Sequence, residues 1–163
     1  MDNNININTN LITYSGDVSL KIYKNNKFYK TINTHNAGTL DFMRFIRDCV
    51  IGKTGIYGRI PFRIAPMNGE QELAGNSFSG FSETEEQNTA IVTYTFLISG
   101  LNYSSDTKIT ALRLISADDK VYAEVTLKSD EEITLNSSTN VYIEWKLRFN
   151  NFNNSEVTKD AQN

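Results

Sequence analysis

The chain contains one cysteine and one histidine, and this shortage excludes several kinds of chemistry. A single cysteine cannot form an internal disulfide bond, so synthesis in a reducing compartment is the simplest inference. One histidine and one cysteine cannot fill a tetrahedral zinc site. A nucleophile–base–acid triad could draw on only one imidazole. We therefore expect no cofactor, no metal site and no catalytic residues.

Long apolar segments are absent as well. No segment approaches the roughly 20 apolar residues of a membrane span, and no basic-then-apolar leader opens the sequence. The sequence predicts a soluble protein with no membrane partner and no cleaved export signal.

The net charge of −3 is unevenly distributed along the chain. Residues 1–67 carry nine Lys and Arg against four Asp, whereas residues 68–107 carry six acidic residues and no basic one. This asymmetry indicates either an ordinary solvated surface, the more common case, or head-to-tail complementarity between neighbouring copies or with a partner. Nucleic-acid binding is not expected of a slightly acidic chain.

Residues 141–149 alternate strictly between apolar and polar side chains. Successive side chains of a strand point to opposite faces, so this segment places five large apolar groups, including Trp145, on one side of a sheet. Further strands are predicted at Ala90–Ser99, Ile109–Ile115 and Val121–Leu127, with a tight turn at Asp118-Asp119.

The first half of the chain predicts two further β elements. Residues 17–33 read as a β-hairpin whose two-residue turn, Asn25-Asn26, tolerates positive φ. A short strand follows at 60–64, where the nearby prolines suggest an edge or a bulge. Residues 67–88 are rich in turn formers and acidic residues, and they predict a long loop.

One α-helix is predicted over residues 39–51. Its apolar side chains recur at helical spacing and its charged side chains lie on the opposite side. The apolar set is Phe42, Phe45, Ile46, Cys49 and Val50, and the charged set is Asp41, Arg44, Arg47 and Asp48. Asn36 or Thr39 can cap the start, and Gly52 is placed to end the helix. So short a helix must dock on the sheet.

Few residues offer reactive chemistry. Cys49 is expected to act as a small buried hydrophobe, and His35 to hydrogen-bond in the turn before the helix. The acidic groups at 83–86, 118–119 and 130–132 lie in predicted turns without the spacing of a calcium loop, and residues 52–55 lack the upstream glycine of a phosphate loop. Exposed aromatic side chains could stack on sugars or on a protein partner. The candidates, some of which must instead belong to the core, are Tyr94, Tyr103, Tyr122, Tyr142, Phe78 and Phe81.

Three segments share a recognisable order: Ile-Thr-Ala-Leu-Arg-Leu-Ile at 109–115, Val-Tyr-Ala-Glu-Val-Thr-Leu at 121–127 and Val-Tyr-Ile-Glu-Trp-Lys-Leu-Arg-Phe at 141–149. This order, with a helix, a strand and a Gly/Ser-rich loop at 39–80, resembles small β-sandwich structural proteins of tailed-bacteriophage virions. The resemblance implies an auxiliary capsid, head-decoration or tail-associated protein. The residues before Leu11 match nothing in that pattern.

We therefore predict an all-β protein: an antiparallel β-sandwich, Ig-like or jelly-roll-like, with one α-helix near residues 39–51. Residues 1–10 would form an N-terminal arm, 11–150 a single domain and 151–163 a polar tail. The leading hypothesis is a non-enzymatic, multi-copy virion component, made in the host cytoplasm, that stabilises or bridges neighbouring subunits. Its partners would be other virion proteins and copies of itself. The alternative is a carbohydrate-binding or host-adhesion module with a surface glycan as ligand.

Overall fold

The computed structural model describes residues 12–73, 76–77, 80–86 and 89–151. These residues form one α-helix, α1 (Leu40–Val50), two short 3₁₀ turns (Ile56–Arg59 and Gly100–Asn102) and twelve strands. The strands are β1 (Ile12–Lys24), β2 (Lys27–Gly38), β3 (Pro61–Asn68), β4 (Gln71–Glu72), β5 (Asn76–Ser77), β6 (Gly80–Glu86), β7 (Thr89–Ser99), β8 (Thr107–Ile109), β9 (Ala111–Ser116), β10 (Val121–Thr126), β11 (Ile133–Leu135) and β12 (Thr139–Asn151). The predicted arm and all but the first residue of the predicted tail lie outside the described residues.

Two large antiparallel sheets share strand β2, and β8 and β11 form a separate two-stranded sheet. The first sheet has the order β2-β1-β12-β7-β6, and the second continues from the far end of β2 through β10, β9 and β3 to β4. β2 pairs with β1 up to Asn36, and with β10 only at Ala37 and Gly38. Buried side chains from both sheets form the main core, and Ala65, Met67, Ala111 and Ile115 form a smaller second cluster. The all-β, antiparallel, sandwich-like fold with one helix is therefore confirmed.

β12 is the central strand of the first sheet. It pairs with β1 on one side and with β7 on the other. Its alternating apolar residues Val141, Ile143, Trp145 and Leu147 are at most 3% exposed. The predicted strand is confirmed, and alternation explains the burial because every second side chain faces the core.

The predicted hairpin and its turn are also confirmed. Asn25 and Asn26 have φ values of 50° and 60°, a conformation that asparagine tolerates better than most residues. The β1–β2 register shifts between Ile22 and Tyr23, which marks a bulge beside the turn. A second bulge lies between Pro61 and Arg63 of β3, as the prolines suggested.

The predicted helix is present, but the exposure of two of its side chains differs from the prediction. Thr39 caps it, since its Oγ1 accepts a hydrogen bond from the Phe42 N–H at 3.3 Å, and Gly52 follows its end with φ 65°. Val50 is 76% exposed, not buried, because the helix ends there. Asp48, expected on the exposed side, is only 2% exposed, because three cations surround its carboxylate.

The strands of the structure differ from the predicted strands in two places. Residues 109–115 are split at Thr110 into the last residue of β8 and all but the last residue of β9. The short strand β11, which pairs with β8, was not predicted, because three residues are too few to show alternation.

Candidate functional site

The prediction that residues 67–88 form a loop is wrong for residues 80–86, its most exposed part. Residues 80–86 form strand β6, which pairs with β7 along its whole length, from Gly80 opposite Thr95 to Glu86 opposite Thr89. Its Ser, Thr and Glu residues gave no apolar alternation, so only pairing with β7 shows that the segment is a strand. β6 is the last strand of the first sheet.

β6 presents an open sheet edge, which we call the acidic edge (Gly80–Glu86). In the described part of the chain no strand lies on its outer side. All six side chains from Phe81 to Glu86 are exposed, and three of them are carboxylates, on Glu83, Glu85 and Glu86. Edge strands have unpaired backbone N–H and C=O groups that can bind another strand.

The side chains of the acidic edge follow the alternation of the sheet. Glu83 lies opposite Val92, which in turn lies opposite the buried Leu147. Phe81, Glu83 and Glu85 are therefore on the face that carries the core, but beyond the part that the second sheet covers. Phe81 is 59% exposed.

Tyr94 forms the inner boundary of this uncovered area. Its ring centroid is 6.4 Å from that of Phe81. Burial, with a contribution from Glu83, raises the pKa of the Tyr94 hydroxyl to about 12. The hydroxyl therefore stays protonated at neutral pH, and the pair of rings offers an apolar surface next to carboxylates.

The densest charged cluster of the described residues surrounds Asp48. Its Oδ1 is 2.5 Å from Arg47 Nη2, and its Oδ2 lies 2.6 Å from Arg59 Nη1 and 3.4 Å from Lys53 Nζ. Hydrogen bonds from Arg59 and then Arg47 hold the pKa of this carboxyl well below its usual range. Both oxygens are engaged, so the cluster fastens the end of α1 and leaves no oxygen to act on a substrate.

Arg59 connects this cluster to the second sheet. The Tyr122 hydroxyl donates a hydrogen bond to the Arg59 carbonyl oxygen, and the Arg59 guanidinium lies over the Phe45 ring. Sequence reasoning missed the cluster because a buried Asp cannot be distinguished from an exposed one by spacing alone. Lys53, in the segment first compared with a phosphate loop, is one of the cations around Asp48.

The acidic groups at 118–119 and 130–132, considered above for calcium binding, contact other side chains of the same chain. Asp119 lies 3.3 Å from Arg63 Nη2, and Glu132 lies 3.1 Å from Lys108 Nζ. Asp118 accepts a hydrogen bond from the Ser116 hydroxyl at 2.5 Å. Among the described residues, no group of three or more His, Cys, Asp and Glu is arranged to hold a metal ion.

Cys49 and His35 both have structural positions. Cys49 is partly buried against the core, and burial raises the pKa of its thiol, in line with its expected role as a small hydrophobe. His35 does not complete the turn before the helix. It lies in β2 opposite Asp17, with its Nδ1 2.7 Å from Asp17 Oδ1, because β2 runs up to Gly38.

The aromatic candidates divide into buried and exposed residues. Tyr122 and Tyr103 are 1% and 8% exposed, so the prediction that they could stack on a ligand is wrong. Both belong to the core. Tyr142 and Phe81 are exposed, and Phe78 lies outside the described residues.

A second aromatic surface lies beside the turn of the β1–β2 hairpin; we call it the hairpin cluster (Tyr23, Phe28, Tyr29 and Tyr142). The Tyr23 ring centroid is 5.8 Å from Phe28 and 5.3 Å from Tyr142, both edge to face. Lys24 Nζ lies 4.0 Å above the Tyr29 ring. A depression of about 510 Å³ adjoins the cluster. It is lined by Lys21, Tyr23, Asn26, Asn140, Tyr142 and Glu144.

Comparison with known proteins adds no relative: no protein-family model, no curated protein and no solved structure matches the chain. Of the described residues, no helix has the length and apolar character needed to cross a membrane. The candidate functional surfaces are therefore the acidic edge and the hairpin cluster, both identified from geometry.

Proposed function

We propose that this protein is a non-enzymatic structural component of a tailed-phage virion, of the auxiliary or decoration capsid type, and that it bridges neighbouring subunits. Its site of action would be the virion, after synthesis in the host cytoplasm. Its partners would be major capsid, connector or tail proteins and other copies of itself. The resemblance of residues 109–149 to phage sandwich proteins supplies the phage context.

The acidic edge is the observation that carries this proposal. A seven-residue strand whose outer side has no neighbouring strand among the described residues can add a strand of another chain through main-chain hydrogen bonds, and its side chains then select the partner. Many soluble proteins shorten or twist such edges to prevent pairing. Here the edge is long and keeps the exposed Phe81 beside its carboxylates, which favours docking of a specific strand.

The distribution of charge supports a role in binding a partner through the acidic edge. The Asp48 carboxylate and the acidic groups paired with Arg63 and Lys108 are occupied by cations of the same chain. Of the three carboxylates on β6, the one with a cation partner is Glu86, 3.3 Å from Arg148 Nη1. The acidic edge thus keeps the negative charge of Glu83 and Glu85 available for a partner.

Quantitative mass spectrometry of purified particles tests this proposal. A structural component must appear at a fixed ratio to the major capsid protein and must remain after washes that remove loosely bound host proteins. Its absence from particles, or a variable trace amount, would contradict the proposal.

The hairpin cluster favours a second candidate function, a carbohydrate-binding or host-adhesion module. The depression of about 510 Å³ lies in the size range of small-ligand sites, roughly 300–1,000 Å³. Tyr142, 47% exposed, could stack on the apolar face of a sugar. The Lys21–Glu144 pair, 3.1 Å apart, could hydrogen-bond the sugar hydroxyls.

Glycan-array binding by the isolated protein tests this second candidate. Replacement of Tyr142 by Ala should abolish binding, because the stacking ring is lost. Phe81→Ala is the matched control, since it removes an exposed aromatic ring far from the depression and should leave glycan binding unchanged. Equal loss in both variants, or no binding by the unaltered protein, would exclude the hairpin cluster as a glycan site.

A further inference from the structure

The first sheet has a second open edge, on β2. β2 pairs with β1 along its length, but on its other side it pairs with β10 only at Ala37 and Gly38. Within the described ranges, no strand therefore lies beside residues 27–34 on that side. We call residues 27–34 the basic edge, because they include Lys27 and Lys30 and no acidic residue.

We propose that the acidic edge of one copy binds the basic edge of a second copy of this chain, so that the first sheet continues from subunit to subunit. This inference rests on the proposed function as a multi-copy structural subunit, and it names the partner of the acidic edge. Three features support it: charge, the face on which the charges lie, and strand direction.

The opposite charges of the two edges lie on the same face of the sheet. Lys30 pairs with the buried Ile22 of β1, and Lys27 pairs with Lys24, two positions further on. Both lysines are thus on the face that carries the core, as Glu83 and Glu85 are. If two copies continue one sheet, the lysines of one copy and the glutamates of the other project to the same side and can pair across the junction.

The strand directions fix how the two edges meet. Every neighbouring pair in the order β2-β1-β12-β7-β6 is antiparallel. Two strands separated by an odd number of antiparallel neighbours run in the same direction, so β2 and β6 are parallel to each other. Copies related by rotation about an axis along the strands would therefore join through a parallel β6–β2 pair, which is an allowed ladder.

Contacts between identical edges are disfavoured by the same charges. A two-fold dimer through β6 would place the carboxylates of Glu83, Glu85 and Glu86 against their copies, and like charges on neighbouring strands destabilise pairing. A two-fold dimer through β2 would do the same with Lys27 and Lys30. Only the heterologous contact between the acidic and the basic edge pairs opposite charges, and such contacts produce closed rings or open filaments.

One intramolecular hydrogen bond must break before the acidic edge of another copy can pair with Lys30. Lys30 Nζ donates a hydrogen bond of 3.4 Å to the carbonyl oxygen of Asp130 at an exposed position. Exposed contacts of this length are weak, so Lys30 can exchange the carbonyl oxygen for a carboxylate of the neighbouring copy.

A charge-swap experiment tests the proposal by sedimentation velocity at low ionic strength, where exposed charges are least screened. The unaltered protein should self-associate. Glu83→Lys with Glu85→Lys makes both edges basic, and Lys27→Glu with Lys30→Glu makes both edges acidic. Each double variant alone should associate at least about tenfold more weakly than the unaltered protein, because two attractive cross-strand pairs become repulsive.

Mixing the two double variants should restore association, because the basic edges of one protein can now pair with the acidic edges of the other. The variant with all four substitutions should also associate, since its edges are again opposite in charge. Glu70→Lys, an exposed change on the turn before β4, is the control and should associate like the unaltered protein. Far-UV circular dichroism confirms that each variant is folded.

Two outcomes would overturn the inference. One is an unaltered protein that stays monomeric at low ionic strength; the other is association that the double variants leave unchanged or that mixing fails to restore. Either result with the protein present in particles at a fixed ratio would leave the proposed function standing. Charge-dependent association without the protein in particles would contradict the proposed function alone.

Discussion

Strands β12 and β6 lie in the same sheet with only β7 between them, yet their side chains have opposite surroundings. β12 has a strand on both sides and buries four apolar residues, including Trp145. β6 has a strand on one side and exposes every side chain from Phe81 to Glu86. The comparison separates a buried central strand, which stabilises the fold, from an exposed edge strand, which we propose binds a partner. Changes in β12 should therefore unfold the protein, and changes in β6 should alter assembly.

The largest effect is expected at Trp145. Trp145→Ala should lower the free energy of unfolding by about 3–5 kcal/mol, because a fully buried aromatic side chain is replaced by a cavity. Urea denaturation followed by circular dichroism measures the change. A loss below about 1 kcal/mol, within the range of surface substitutions, would show that the centre of the first sheet is not the stabilising region.

A smaller effect is expected where the end of β7 meets β12. A Cβ at Gly100 would lie 1.9 Å from the Asn136 carbonyl oxygen and 2.2 Å from that of Thr139. Gly100→Ala should therefore destabilise the protein by about 1–3 kcal/mol, since the backbone must move. Gly58→Ala is the matched control, because a Cβ there meets nothing within 4 Å. Equal midpoints of thermal unfolding in the two variants would contradict the close approach.

Asp48 should give the protein a pH-dependent stability. Its pKa in the folded protein lies below the ordinary value of 3.8, because Arg59 and Arg47 hydrogen-bond to the carboxylate. Its contribution is therefore fully present above about pH 4 and is lost as the pH falls through the folded-state pKa. In Asp48→Asn the unfolding midpoint should fall at neutral pH and depend less on acid.

Asp41→Asn is the control for Asp48. Asp41 pairs with Arg44 on the exposed side of α1, 3.0 Å away, and exposed pairs of this kind contribute little. Its removal should hardly move the unfolding midpoint. Equal effects of the two substitutions across the pH range would show that the cluster around Asp48 does not hold the end of the helix.

The smallest effect on stability, and the largest on assembly, is expected on β6. Glu85→Lys should change the free energy of unfolding by no more than about 0.5 kcal/mol, as is usual for exposed positions. If the protein is the virion component proposed above, incorporation of the variant into particles should nevertheless fall, because the charge proposed to select the partner strand is reversed. Normal incorporation, measured by mass spectrometry of particles, would show that the acidic edge takes no part in the contact with the neighbouring subunit.

The sequence predicted the elements that have a clear hydrophobic periodicity or characteristic turn and capping residues. Residues 141–149 alternate without error, Asn25-Asn26 fits a turn of positive φ, and Thr39 and Gly52 fit the two ends of α1. In each case the physical cause is local, because it depends on residues next to one another in the chain.

The acidic edge, the core tyrosines and the buried Asp48 could not be predicted in the same way. β6 is a strand because β7 pairs with it, and its own Ser, Thr and Glu residues indicate no buried face. Tyr122 is buried because Phe42 and Phe45 of the docked helix pack against it. These features depend on contacts between distant segments. The uneven charge was visible in the sequence, but its placement on two sheet edges required the fold.

A reconstruction of the intact particle is the most direct test of the claim that this protein works through its acidic edge. We expect residues 80–86 to lie hydrogen-bonded beside a strand of a neighbouring subunit, with basic side chains near Glu83 and Glu85. A particle that contains the protein with residues 80–86 facing solvent would contradict it.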